Sequence, residues 1–189
     1  MARLHRNMPL AEVGAVISSA LQEEGIAATL SGGAVVTIYS HNEYQSKDLD
    51  FVTAAQLSVL KPVLERLGFI HTGVPRLSQF THPDIDWFVE FPPTPIAFGH
   101  YHVRHEDCAV LDTPSGPLRL ISPTQSVMDR LAAAIAWNDP QSWDQAVMVA
   151  ARQQIDWTAL ESWFKNEGAG ERDFSRFSEL VARKSEVNG

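Results

Sequence analysis

The segment LSGGAVVTIYSHNEYQSKDLDFVT, residues 30–53, reads as strand, glycine turn, helix, loop and strand. It closes on two carboxylates, Asp48 and Asp50, one residue apart. On a strand, side chains at i and i+2 share a face, so both acids project together while Leu49 and Phe51 turn to the core. Like charges side by side on a strand repel. A divalent cation removes that cost, and carboxylate oxygens suit Mg2+ or Mn2+. At the other end of the segment, Gly32-Gly33 lets backbone N–H groups approach a ligand closely. A helix starting there favours an anion at its N-terminus. A phosphate cradle beside a carboxylate pair points to chemistry on a nucleoside triphosphate.

The order Gly-Gly, short helix, then [ST]-x-D-L-D-F, here Ser46 to Phe51, resembles the nucleotidyltransferase superfamily of polymerase-β-like enzymes. It is most similar to the small bacterial branch that includes abortive-infection and toxin–antitoxin nucleotidyltransferases. The resemblance covers residues 26–91 and, more loosely, 122–150. It implies an α+β fold: a mixed β-sheet flanked by helices, followed by a C-terminal helical region. It implies Mg2+-dependent (or Mn2+-dependent) transfer of a nucleotidyl group from a nucleoside triphosphate to a hydroxyl or phosphate acceptor on RNA or protein. The setting it implies is toxin–antitoxin or phage defence. Ser31, Gly32 and Gly33 would bind the nucleotide, and Asp48 and Asp50 would be catalytic metal ligands. The resemblance also decides residues 34–39. Val35, Val36, Thr37 and Ile38 are poor helix formers and favour a strand on propensity, whereas the family pattern requires a helix. Tyr44 stands where many members carry arginine, four residues before the first aspartate.

A two-carboxylate site needs a third acid, and the family places one on a neighbouring strand. The candidates lie in HPDIDWFVEFPP, residues 82–93. Read as a strand over 85–91, the alternation puts Asp84, Asp86, Phe88 and Glu90 on one face. Asp86 followed by hydrophobic residues resembles the family's common form. Glu90 lies between Val89 and Phe91, where an unpaired charge is costly and demands a reason. Glu90 is therefore the favoured third ligand and Asp86 the alternative.

Farther along, residues 122–150 resemble a stretch of the toxin-type branch in which a basic residue precedes Leu-x-Ala and an acid follows on the next helix. Arg130 takes the basic position, usually lysine, and Asp144 the acidic one. Arg130 would contact the triphosphate; Asp144 would orient Arg130 or act as a base on the acceptor. A helix-surface ion pair is the plainer role for both. The departures at Tyr44 and Arg130 also admit a rival: a retained fold without activity, acting as an antitoxin or regulatory subunit. His100, His102 and His105 have ligand chemistry, and His100 and His102 share a face if residues 96–103 form one strand. No second ligand cluster at a zinc-site spacing accompanies them, so they are read as structural.

Composition limits the alternatives. The chain has 189 residues and a net charge of -8, which argues against strong nonspecific nucleic-acid binding but leaves room for a local basic groove. Arginine supplies 11 of the 15 basic residues, and its planar fork suits phosphate. One cysteine, Cys108, excludes an internal disulfide. No apolar run spans a bilayer and no apolar h-region precedes Pro9, so no membrane partner is expected and a cytoplasmic location is the default. The base, the acceptor and the oligomeric state are not readable.

The remaining pattern divides the chain into an α/β part, 1–121, and a helical part, 122–189. Helices are expected at 9–24, 34–39 and 53–67. A capping box at Thr53–Gln56 opens the third of these, and Pro62 bends or divides it. Strands are expected at 26–30, 48–53, 69–73, 77–81, 85–91, 96–103 and 108–112. A second capping box, Ser122-Pro123-Thr124-Gln125, opens helices at 123–137, 140–153, 157–166 and 173–184. The five tryptophans fit core or interface packing.

Overall fold

A computed structural model describes residues 4–72, 79–168 and 171–188. Helix α1 (Leu10–Glu23) leads to strand β1 (Ala28–Ser31), helix α2 (Gly32–Tyr39) and strand β2 (Asp48–Thr53). Then come α3 (Leu57–Arg66), β3 (Ile70–His71), β4 (Gln79–Thr81), β5 (Phe88–Glu90), β6 (Ile96–Phe98) and β7 (Tyr101–Val103). A 3-10 turn at His105–Asp107 precedes β8 (Ala109–Thr113) and β9 (Gly116–Leu120). Helices α4 (Pro123–Trp137), α5 (Pro140–Ala150), α6 (Trp157–Asn166) and α7 (Glu171–Asn188) complete the chain.

Among the described residues, seven strands form one sheet in the order β3-β4-β5-β2-β1-β9-β8. It is mixed: β1 runs antiparallel to β2 but parallel to β9, and β2 runs parallel to β5. The expected α+β architecture is therefore present. Strand β1 is buried along its whole length, because α1 packs on it and α2 leaves directly from its end. Its one hydroxyl in mid-strand, Thr29, is satisfied by His105 Nδ1 at 2.7 Å. One hydrophobic core runs from the sheet through α2 into the C-terminal helices, joining Leu49, Phe51, Val36, Leu131, Ala146 and Phe164. Leu49 and Phe51 are fully buried, and truncating either to alanine costs about 2–5 kcal/mol.

Helix α2 forms despite four β-branched or β-favouring residues, because Val35 and Val36 are fully buried and burial outweighs the small propensity cost. The box at Ser122 is present with both reciprocal hydrogen bonds. Four expectations give way. Thr53 caps no helix: it ends β2, donates to the Ala27 carbonyl at 2.7 Å, and α3 begins only after Gln56. For Pro62 the dividing alternative gives way, since α3 runs unbroken through it. Residues 96–103 form a hairpin rather than one strand, because Gly99 takes φ +64° and reverses the chain. Residues 82–87 form a turn, so β5 starts at Phe88 and Asp84 and Asp86 lie outside it. The His82 carbonyl accepts the Ile85 N–H in that turn. The part of the 77–81 strand at residues 77 and 78 falls outside the described residues.

Candidate active site

The floor of the site is the register of three central strands. Ser31 is paired with Asp50, and Asp50 with Glu90, so β1, β2 and β5 present these positions in a row. Asp48 lies two residues before Asp50 on the same face. Carboxylate oxygens of Asp48, Asp50 and Glu90 lie within 4.8 Å of one another. All three residues are half-buried. Asp86 is exposed and is not in this cluster.

Burial, then Asp48, then Glu90, push the Asp50 carboxyl up to about 7, and Arg130 opposes the rise. Three acids are thus held together with too little positive charge beside them. Hard oxygen donors converging in this way fit a divalent cation such as Mg2+ or Mn2+. The donor set contains no sulfur or imidazole that would favour a softer metal.

The turn above the acids is built for close approach. Gly32 adopts φ +66°, and a Cβ there would collide with Asp50 Oδ2. A Cβ on Gly33 would sit 2.8 Å from Ser46 Oγ and 3.3 Å from the Tyr44 ring. Ser31 ends β1 in extended conformation, so α2 starts at Gly32, directly beside the Asp50 carboxylate, with its first N–H groups free of helix partners. Supporting hydrogen bonds reach round the turn. Thr37 Oγ1 donates to the Gly33 carbonyl at 3.1 Å and accepts from Ser46 N–H at 2.9 Å. Ser46 Oγ donates to Asp48 Oδ1, and Gln79 Nε2 donates to Glu90 Oε1 at 3.2 Å.

On α4, Arg130 is held by Asp129, with Nε at 3.0 Å and Nη2 at 2.6 Å from Oδ2. Its Nη1 lies 3.5 Å from Gln145 Oε1. The orienting partners are therefore Asp129 and Gln145, not Asp144, which is exposed on α5 in a groove with Asp139, Trp143 and Arg176. The histidines do not converge. His100 lies in the β6–β7 turn, 3.1 Å from Glu167, rather than on a strand face with His102, and His105 bonds Thr29.

No protein-family model matches the sequence, and no curated protein matches it. The fold has relatives. A crystal structure of an antigenic nucleotidyltransferase-like protein from Paracoccidioides brasiliensis superposes with a TM-score of 0.59 at 13% identity, covering 93% of this chain and 94% of that one. The chain has the nucleotidyltransferase fold. The solution structure of the antibiotic-resistance factor ANT(2'')-Ia aligns at a TM-score of 0.47 and 12% identity, covering 95% and 94% of the two chains. The lincomycin-bound lincosamide antibiotic adenylyltransferase LnuA aligns at 0.47 and 10% identity, covering 78% of this chain and all of that one.

Within this nucleotidyltransferase fold, several supporting residues escape a linear reading. Asp129 and Gln79 carry no signal in their own neighbourhoods, since their partners come from elsewhere in the fold or from a helix side chain that must turn back. Ser46 does carry one: it is the hydroxyl of the [ST]-x-D pattern, two residues before the acid it bonds. None of the described helices is long and apolar enough to cross a membrane.

Proposed function

We propose that this chain is a divalent-metal-dependent nucleotidyltransferase that moves a nucleotidyl group from a nucleoside triphosphate to a hydroxyl or phosphate acceptor on RNA or protein. The observation that carries the proposal is the Asp48–Asp50–Glu90 cluster, three carboxylates within 4.8 Å beneath a glycine turn that leaves no room for a side chain. Mg2+ or Mn2+ would be held by these acids. When bound, such an ion neutralises phosphate oxygens and stabilises the charge that develops in an in-line displacement.

The chain's own residues do the rest. Ser31, Gly32 and Gly33 form the edge against which the phosphates rest, with the first N–H groups of α2 donating to them. Arg130, steadied by Asp129, places a planar cation within electrostatic reach of Asp50. The resemblance of residues 26–91 to the small bacterial branch supports a toxin–antitoxin or phage-defence setting.

Incubation of the protein with each triphosphate and Mg2+, followed by mass spectrometry of tRNA and protein, tests the proposal. A nucleotidyl mass added to one of these acceptors, lost in Asp50→Asn, supports it. Metal-dependent nucleotide binding without any transfer instead supports a binding module on the same fold, the role the Tyr44 substitution admits.

A further inference from the structure

Residues 41–47 link α2 to β2 and supply the site's walls. Two consecutive non-glycine residues there, His41 and Asn42, take positive φ, 54° and 65°. Such backbone persists only where its surroundings over-determine it. The restraint comes from the far end of the chain. Glu43 accepts from Arg152 Nη2 at 2.6 Å and Nε at 3.2 Å, and its other oxygen pairs with Lys184 of α7. Both cations hold the Glu43 carboxyl below its ordinary value, Lys184 first. Next to this clasp, Gln153 Nε2 donates to the Tyr39 carbonyl at 2.8 Å, where α2 ends.

This clasp is unlike most other ion pairs of the surface. Lys61–Glu65, Lys165–Glu161 and Arg183–Glu179 are single pairs within one helix, largely exposed and worth little. Glu43 instead receives two cations separated from it by 109 and 141 positions, with its side chain 24% exposed. From Glu43 the chain runs directly to Tyr44, whose ring packs against Gly33, and to Ser46, which bonds Asp48.

We propose that Glu43 is a positioning residue: clasped by Arg152 and Lys184, it fixes the 41–47 loop so that Tyr44 and Ser46 hold Gly33 and Asp48 in register for metal and triphosphate. This rests on the metal–nucleotide reading of the Asp48–Asp50–Glu90 site. It makes α7, far from the acids in sequence, part of what shapes them.

The test uses the full chain, Mn2+ as the probe, and amide hydrogen exchange. Glu43→Gln is expected to weaken Mn2+ binding, followed by electron paramagnetic resonance, about tenfold, and to speed exchange of the 41–48 amides by a similar factor. The β8–β9 amides and the melting temperature are expected to stay close to wild type. Lys184→Met, a milder change, should move both readouts in the same direction. The Glu43→Gln/Lys184→Met double variant should be no worse than Glu43→Gln alone, because the clasp is already open. Lys184→Arg should restore wild-type values. Weak Mn2+ binding in Asp50→Asn but wild-type binding in both Glu43→Gln and Lys184→Met overturns the positioning role and leaves the site intact. Equal binding in wild type and Asp50→Asn overturns both.

Discussion

Asp50 and Glu90 are register partners on adjacent parallel strands, 40 positions apart in sequence and side by side in the sheet. Neither strand tolerates this cheaply. Like charges directly opposite one another destabilise a sheet, and here Asp48 adds a third on the same face. Burial, then Asp48, then Glu90 push the Asp50 carboxyl from its ordinary 3.8 up to about 7.

That shift sets a pH dependence in metal-free protein. A carboxyl raised from 3.8 to about 7 keeps its proton in the folded state after the unfolded chain has lost it. Its stabilising contribution is complete below about pH 4 and is lost as pH rises through about 7. In chelator, the melting temperature should fall across that window, and Asp50→Asn should flatten the fall. At pH 8 the variant should melt roughly 4–8 °C above wild type, the shift that about 2 kcal/mol produces at this chain length. Added Mg2+ should stabilise wild type at pH 8 more than at pH 5, and Asp50→Asn at neither. Calorimetric melts across the pH range check all of this.

The third carboxylate can be assigned by a pair of conservative changes. Glu90→Gln should abolish metal-dependent transfer, because it removes charge from the cluster while keeping the bond to Gln79. Asp86→Asn should leave transfer within about twofold, since that residue is exposed and outside β5. Transfer rates on variants whose melts show them folded decide between the two. An inactive Asp86→Asn with an active Glu90→Gln would move the site to Asp86.

The glycine turn separates two costs. Gly33→Val places a Cβ 2.8 Å from Ser46 Oγ, so Ser46 must move and release Asp48. The expected outcome is loss of triphosphate affinity of at least about tenfold with a stability cost of about 1–3 kcal/mol. Gly32→Ala meets both a positive φ and the Asp50 carboxylate, and should be the more damaging to folding. Titration calorimetry with Mg2+ and each triphosphate, alongside thermal melts, measures both quantities.

Arg130 offers a test of geometry against charge. Arg130→Lys keeps the cation but not the planar fork that Asp129 and Gln145 grip. It should lose roughly tenfold in triphosphate affinity, and Arg130→Ala roughly a hundredfold, on the scale of charge-assisted hydrogen bonds. Asp144→Asn should leave affinity unchanged, because Asp144 does not touch Arg130. A strong effect of Asp144→Asn on transfer, with affinity intact, would place it on the acceptor side.

Local chemistry made several parts of this molecule legible in the sequence. Asp48 and Asp50 share a face because strand side chains alternate, whatever the rest of the chain does. The Ser122 box and Pro123, which start α4, follow from capping and proline geometry within a few residues. Where local signals misled, a distant contact had taken the residue over. The Thr53 hydroxyl had the spacing of a cap but is used by the Ala27 carbonyl on the neighbouring strand. Residues 34–39 had strand propensity, yet burial of Val35 and Val36 against the core holds them helical. Only the tertiary structure brought Glu90 beside Asp50, set Gln145 of α5 against Arg130, and carried Lys184 to Glu43. The physical reason is the range of the forces. Alternation, capping and φ restrictions act within a few residues, whereas register, burial and ion pairing depend on which strands and helices meet, and that is settled by the core as a whole.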